Sequence, residues 1–255
     1  MDKLYEALID GIPGEERVVA AVRGRYQSFV EAEGGAGLAS LILPESHKPY
    51  ENSLTFPAWE GRSLRDLASM IVSEDTTLAA LGCAAINAWY NRDANLRALG
   101  AVHYPPESDE GDAFRTLEPF CAGKLVSTIG HFHGGERLRG YRELRVFEKD
   151  PRPGDYPSSM EDSLLPGSDV VIVTGMALTN GAMPHLLSVA QGSYIALSGP
   201  SVPMAAIWAE FGVSALFGTT VWDIPGCRTA IECGGHKETW PCMGKAVRYF
   251  RGKDR

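Results

Sequence analysis

Four short apolar runs in the second half of the chain, each followed at once by small and polar residues, constrain the fold more than any other feature. They cover residues 125–129, 144–147, 169–173 and 193–197. Continuous runs of this kind are typical of strands covered on both faces, as in a parallel sheet between helices. Ligands bind such sheets beyond the carboxyl ends of the strands, so the polar residues after the runs predict a binding crevice.

Helical patterns alternate with these strands, which favours repeated β-α-β units and a mainly parallel sheet. The expected elements are helices over residues 160–165, 182–190 and 204–211, and further strands over 214–218 and 246–250.

The first half has a different order, with strands before helices, and predicts a small α+β unit containing an antiparallel sheet. Its expected elements are a helix over residues 4–9, strands over 18–25, 28–30 and 38–43, and helices over 64–71 and 78–90. Residues 105–112 are polar, contain two prolines and lack periodicity, as a connection between domains does. We therefore expect one domain over residues 1–112 and a second over residues 113–255.

Composition narrows the classes of partner. A net charge of −8 argues against nucleic acid, whose binding depends on neutralising phosphates. No run approaches the roughly 20 apolar residues that span a bilayer, and residues 1–6 lack the apolar core of a signal peptide. We expect a cytoplasmic protein with a small ligand, whose five cysteines are reduced thiols.

Residues 130–135, which follow the first run, read Gly-His-Phe-His-Gly-Gly. This differs from the G-x-G-x-x-G loop of dinucleotide-binding folds, because side chains occupy positions where phosphates need bare backbone. In a strand-like segment His131 and His133 would face the same way and share a metal ion. In a turn that geometry is lost, and histidines bonded to backbone are the alternative.

Two carboxylates follow the second run. Glu148 lies about where an acidic residue binds a ribose hydroxyl in nucleotide-binding folds, and the alternative is a solvated carboxylate at a strand end. Asp155 lies in a proline-rich loop, where it either positions a ligand or stabilises the turn.

Small and polar residues also precede two predicted helices, where unpaired backbone N–H groups favour anions. They are Thr174, Gly175, Asn180 and Ser201, and ordinary helix capping is the alternative for each. Asn87 lies inside an alanine-rich helix and predicts a contact across the domain interface.

Three cysteines and a histidine lie close together towards the end of the chain, at Cys227, Cys233, His236 and Cys242. Their residue types suit zinc or iron–sulfur centres, but the spacing fits no common structural zinc pattern. The sequence alone does not decide whether these four residues form a second metal site.

Several of these segments together resemble the "putative heavy-metal chelation" family. The similar segments are residues 130–132, 146–148, 154–157, 164–166, 169–175, 179–181 and 198–201, with a weaker similarity over 35–38 and 82–88. The resemblance implies an enolase N-terminal-like α+β domain, then a Rossmann-like three-layer α/β domain, with a cleft between them.

The resemblance also implies a set of ligand-binding positions. They are Gly130, His131, Phe132, Glu148, Asp155, Thr174, Gly175, Asn180, Gly199, Pro200 and Ser201. This chain departs from the family pattern in two places. His133 replaces a proline, which adds a possible ligand, and Ala182-Met183 stands where a threonine is usual, which removes a hydroxyl.

The leading hypothesis is a two-domain protein that binds a heavy-metal ion or a small metal chelate in the cleft. His131 would be the direct ligand and Glu148 or Asp155 the supporting carboxylate. The competing hypothesis is an enzyme that acts on a nucleoside-containing cofactor or substrate, with Glu148 on a ribose. A structural or adaptor protein is the third, and a homodimer is compatible with all of them.

Overall fold

The computed structural model describes residues 2–43 and 48–250, which form two β-sheets of four and eight strands with helices packed against them. The larger sheet is mostly parallel. The predicted α/β fold with a mainly parallel sheet is therefore confirmed.

The elements of the first half follow one another in the order α1, three strands, a short strand, three helices and a strand. They are α1 (Lys3–Asp10), β1 (Val18–Arg23), β2 (Gln27–Ala32), β3 (Gly35–Ser40), β4 (Leu54–Thr55), α2 (Leu64–Ala68), α3 (Thr76–Tyr90), α4 (Asp93–Leu99) and β5 (Val102–Tyr104).

The second half alternates strands with helices over most of its length. Its elements are α5 (Ala113–Cys121), β6 (Leu125–Ile129), β7 (Glu143–Glu148), β8 (Tyr156–Pro157), α6 (Glu161–Leu164), β9 (Val170–Thr174), α7 (Met176–Thr179), α8 (Met183–Val189), β10 (Tyr194–Gly199), β11 (Val213–Val221), α9 (Ile224–Glu232) and β12 (Met243–Tyr249).

The four-stranded sheet has the order β3-β2-β1-β4 and is antiparallel throughout. Helix α3 packs on one face, very close to β3, since a Cβ atom at Gly37 would lie 2.2 Å from the backbone nitrogen of Ala88. Helix α9 covers the other face, where Ile231 packs in one buried cluster with Val22 and Phe29. A helix of the second half thus completes the first sheet.

The eight-stranded sheet has the order β5-β12-β11-β10-β9-β6-β7-β8. The strands from β11 to β8 in this order are parallel, whereas β12 and β5 are antiparallel to their neighbours. Strand β5 precedes residue 112 in the chain yet pairs with β12. The domain boundary at residue 112 itself stays a prediction.

The middle strands β6 and β9 of the larger sheet are buried on both faces, as their continuous apolar runs indicate. On β9, Val171 and Val173 lie in the same buried cluster as Leu178 of α7. Val170 and Ile172 point the other way and pack with residues of α5. A strand covered on both faces has no polar side to alternate with, which explains its unbroken apolar sequence.

Two sequence expectations need correction. The third strand begins at Gly35, not at residue 38, because the glycines that suggest a turn instead permit the close approach of α3. The helix expected over residues 204–211 is only a 3-10 turn at Ala206–Ala209. Trp208 is fully buried there and donates from Nε1 to the carbonyl of Pro203, which fixes the segment without further helical turns.

Over the ranges 2–43 and 48–250, none of the helices combines the length and apolar character needed to cross a membrane.

Candidate functional site

The carboxyl ends of β6, β7, β9 and β10 lie along one edge of the larger sheet, because these strands are adjacent and parallel. Each end leads into one of the polar segments that the sequence singles out. The edge faces the first sheet across a cavity of about 430 Å³, which is within the usual size range of small-molecule sites.

Residues near both sheets line this cavity, which we call the interdomain cavity because it lies between the two sheets. The first supplies Tyr26, Gln27 and Ser40, and the second supplies side chains and bare backbone from several strand ends. The lining residues from the second half that matter below are His131, Phe132, His133, Thr174, Ser198, Gly199, Pro200, Gly218, His236, Trp240 and Lys245.

His131 is held by both carboxylates that follow the second apolar run. Its backbone N–H donates to Oε1 of Glu148 at 2.6 Å, and its ring Nε2 lies 2.8 Å from Oδ2 of Asp155. Burial alone would raise the pKa of Asp155, but hydrogen bonds from His131 and from the backbone N–H of Arg152 lower it overall. These contacts fix the loop after β6 in one position.

The loop itself is not strand-like. Strand β6 ends at Ile129, and Gly130 has a φ of +96°, which turns the chain out of the sheet. The alternating geometry that would place His131 and His133 side by side is therefore absent from this segment. Phe132 instead packs on Phe114, with ring centroids 5.0 Å apart.

His133 shares the cavity wall with a residue from a distant part of the chain. His236 lines the same cavity, and its ring stacks on Tyr26 with centroids 4.3 Å apart. Burial lowers the pKa of His236 first of all, and the nearby His133 lowers it further. Its imidazole is accordingly neutral at neutral pH and able to accept a hydrogen bond or a metal.

The sequence did not predict this role for His236, which its spacing groups with the cysteines. It also missed Tyr26, Gln27, Trp240 and Lys245 as cavity residues. Lys245 Nζ donates to the carbonyl of Ser108 at 2.5 Å and brings a positive charge to the cavity wall. No local pattern marks these residues, because they reach the cavity through the pairing of β12 and the docking of the first sheet.

Of the residues at the predicted helix starts, Thr174, Gly199 and Pro200 line the cavity. Gly199 has a φ of +119°, a conformation that favours glycine. Close packing explains the glycine at position 175, since a Cβ atom there would lie 2.7 Å from the carbonyl carbon of Ser201.

The remaining predicted residues bond within the protein. The Ser201 Oγ accepts from the backbone N–H of Ser40 at 2.9 Å, and Asn87 donates to the carbonyls of Leu38 and Pro200. The Asn180 Oδ1 accepts from the N–H of Ala182 at 3.0 Å, which closes a turn between α7 and α8; this is not the expected helix cap, because the N-cap of α8 is Ala182 and has no side-chain bond. Their expected roles in ligand binding stay predictions.

The donor groups do not form a complete metal site. Across the described ranges 2–43 and 48–250, no three His, Cys, Asp or Glu side chains are grouped so that they could hold a metal ion. Cys227 and Cys242 are buried whereas Cys233 is exposed, and burial raises the pKa of Cys227 to about 12. Cys227 and Cys233 therefore differ in exposure, and the described residues do not bring the cysteines and His236 together as a metal site.

Comparison with known proteins identifies relatives of both halves. Two family models, each described as "putative heavy-metal chelation", match residues 5–90 and 112–249. An uncharacterized protein from Methanocaldococcus jannaschii is 23% identical over 206 residues, which are 77% of this chain and 74% of the relative.

Two solved structures have the same fold. The first is a protein of unknown function from Desulfitobacterium hafniense, which belongs to the DUF364 family. It superposes on this chain with a TM-score of 0.82 at 26% sequence identity, and the match covers 97% of each chain. The second is a protein of unknown function from Pyrococcus horikoshii, also of the DUF364 family. Its TM-score is 0.76 at 23% sequence identity, and the match covers 96% of this chain and 98% of that one.

Proposed function

Because this chain belongs to the "putative heavy-metal chelation" family, we propose that it binds a small metal chelate, a metal ion carried by its own small-molecule chelator, in the interdomain cavity.

One observation carries the proposal: His133 and His236, far apart in the chain, both line the interdomain cavity. Neutral imidazole is a good ligand for many heavy divalent metals. Two imidazoles supply only part of a coordination sphere, and the described residues offer no third side chain to complete a site for a bare ion. The remaining donors would come from the chelator.

Other cavity residues suit such a ligand. Small chelators are commonly carboxylates, and Lys245 supplies a cation on the cavity wall. His131 has Nε2 engaged by Asp155, an arrangement in which a carboxylate orients the imidazole and leaves Nδ1 available. Glu148 uses Oε1 to hold the loop, which supports a positioning role for this carboxylate more than the ribose contact of the competing hypothesis.

Equilibrium dialysis tests the proposal, with bound metal measured by elemental analysis. The protein, purified without chelators or a metal-affinity tag, is dialysed against nickel(II) citrate and, separately, against nickel(II) alone. We expect one tightly bound nickel per chain from the citrate complex and weaker binding of the bare ion. Equal affinity for both forms would show that the chelator contributes nothing.

A variant pair locates the binding. His133→Gln with His236→Gln should weaken nickel citrate binding by at least about tenfold, since two ligands are lost. His185→Gln is the matched control, because His185 lies on α8 and its Nε2 bonds Asp162 outside the cavity. Unchanged binding in the double variant, or an equal loss in the control, would refute the assignment.

Three further expectations are part of the proposal. The four-stranded sheet with its helices would be the enolase N-terminal-like unit, and the larger sheet with its helices the Rossmann-like unit. The protein would act in the cytoplasm, and a homodimer would be compatible with the open cavity.

A further inference from the structure

A second cavity, of about 550 Å³, lies on the α5 side of the larger sheet. The loop of residues 130–133 separates it from the interdomain cavity, and His131, Phe132 and His133 line both. We call it the loop cavity. Its walls come from β6, β7, α5, the segment of residues 130–141 and Arg152, without any residue of the first sheet.

The loop cavity exists because no α-helix covers this part of the sheet. The connection between β6 and β7, described over its full length, contains only a 3-10 turn at Gly135–Arg137. Leu144 and Val146 on β7 are accordingly only half-buried, whereas Ile172 on β9 is fully buried in the cluster with α5. The cavity therefore has an apolar floor that the protein itself leaves open.

Aromatic rings form much of the wall. Phe114 and Phe132 lie with centroids 5.0 Å apart, inclined at 58°, and Tyr141 lines the cavity with 37% of its surface exposed. Rings arranged over an apolar floor favour a flat ligand, which they contact by stacking or by edge-to-face packing.

The charge of the loop cavity is opposite to that of the whole chain. Arg139 and Arg152 line it against a single carboxylate, that of Glu136, in a protein of net charge −8. Nη1 of Arg139 donates to the carbonyl of Leu138 at 3.2 Å, which holds the guanidinium beside the cavity. A Cβ atom at Gly135 would meet nothing within 4 Å, so there is space for a ligand beside this residue, although its N–H donates to the carbonyl of Phe132 and its carbonyl accepts from Leu138. The two guanidinium groups are therefore the anion-binding groups, and they favour phosphate or carboxylate.

We propose that the loop cavity binds a flat heteroaromatic ring that carries an anionic group, with a mononucleotide as the simplest ligand of this class. The ring lies over Leu144 and Val146 among the aromatic side chains, and the anion meets Arg139 and Arg152. This inference concerns a cavity that the metal chelate does not occupy.

Isothermal titration calorimetry with AMP, in metal-free buffer, tests the proposal. We expect saturable binding of one AMP per chain, with at least about tenfold weaker binding of adenosine and of ribose 5-phosphate, which lack the anion and the ring respectively. Absence of saturable AMP binding up to about 1 mM, or equal binding of AMP and adenosine, would overturn it.

Variants of the arginines complete the test. Arg139→Gln with Arg152→Gln should weaken AMP binding by at least about tenfold, while both residues are exposed enough for the fold to tolerate the change. Arg142→Gln is the matched control, because this arginine is 64% exposed and lies near Asp169, outside the cavity. A control that loses as much affinity as the double variant would also contradict the proposal. Since no metal is present, failure here leaves the chelate proposal untouched.

Discussion

The side-chain amide of Asn87 donates to the backbone carbonyl of Pro200 at 2.9 Å and to that of Leu38 at 2.7 Å. A single buried residue of α3 thereby joins β3 of the first sheet to the loop that follows β10 of the second. Asn91, which caps the end of α3, donates to the carbonyls of Val202 and Thr219, both in the second half of the chain. Helix α3 thus helps to hold the two sheets together, while the residues that line the two cavities come from other segments.

Replacement of Asn87 by alanine should therefore destabilise the whole protein. Asn87 is 0% exposed, so the variant leaves the buried carbonyl of Leu38 and the partly buried carbonyl of Pro200 without this donor, at a cost of about 2–3 kcal/mol. Urea denaturation measures the free energy of unfolding. Asn95→Ala serves as the control, because Asn95 bonds only the nearby carbonyl of Trp89, and it should cost about 1 kcal/mol. Equal losses in the two variants would contradict the bridging role of Asn87.

Gly37→Ala tests the close packing of α3 on β3. The new methyl group would lie 2.2 Å from the nitrogen of Ala88 and 2.3 Å from the oxygen of Ala84, both of them backbone atoms of a helix. We expect a loss of about 3 kcal/mol or more, seen as a lower thermal midpoint. Gly14→Ala has open space around its Cβ position and should change stability by less than about 0.5 kcal/mol. A mild effect at Gly37 would mean that α3 lies farther from the sheet.

Ser201→Ala separates a structural role from a ligand-binding role. Ser201 is 1% exposed, and its replacement removes the acceptor of the partly buried N–H of Ser40, which should cost about 1 kcal/mol in unfolding experiments. Nickel citrate affinity should change less than about twofold. Ser188→Ala, which removes an exposed hydroxyl on α8, controls for the stability effect. A large loss of nickel citrate affinity with an unchanged free energy of unfolding would show that Ser201 binds the ligand.

Protonation of His103 on β5 should lower the free energy of unfolding as the pH falls. Burial lowers its pKa below the ordinary value of 6.5, although Asp93 opposes the shift, and its Nε2 is buried with no hydrogen-bond partner in the described part of the chain. The folded protein thus binds this proton less tightly than the unfolded chain does. The contribution of neutral His103 is complete above pH 6.5 and is lost as the pH falls from there towards the folded-state pKa.

His103→Gln should therefore show a smaller fall in unfolding free energy between about pH 7.5 and pH 5.5 than the natural protein. Denaturation curves at the two pH values give the difference. An identical pH dependence in both proteins would assign the effect to other groups, of which His236, with its lowered pKa, is the first to test.

The larger sheet is predictable from the sequence because each of its parallel strands is marked by a local pattern of residues. Each parallel strand carries its own apolar run, and burial on both faces leaves that run unbroken, as Val170–Thr174 illustrates. Strand β5 escaped detection since its three residues are too short for any pattern, and its place beside β12 depends on pairing between distant segments.

The candidate site was predictable only in part, for the same reason. Strand ends such as Thr174 follow from the fold class, because parallel strands place their carboxyl ends together. His236 and Lys245 reach the interdomain cavity through the docking of one sheet on the other, which no spacing reveals. Ser201 and Asn87 bond across the two sheets within the protein, and their expected role in ligand binding stays a prediction.

The position of α9 has a consequence for biosynthesis. Its Ile231 closes the face of the first sheet that α3 leaves uncovered, around Val22 and Phe29. Because chains emerge from the ribosome with the N-terminal end first, that sheet exposes an apolar face until residues 224–232 have been translated. Nascent chains of this protein should accordingly depend on chaperone protection for longer than a freestanding N-terminal domain would.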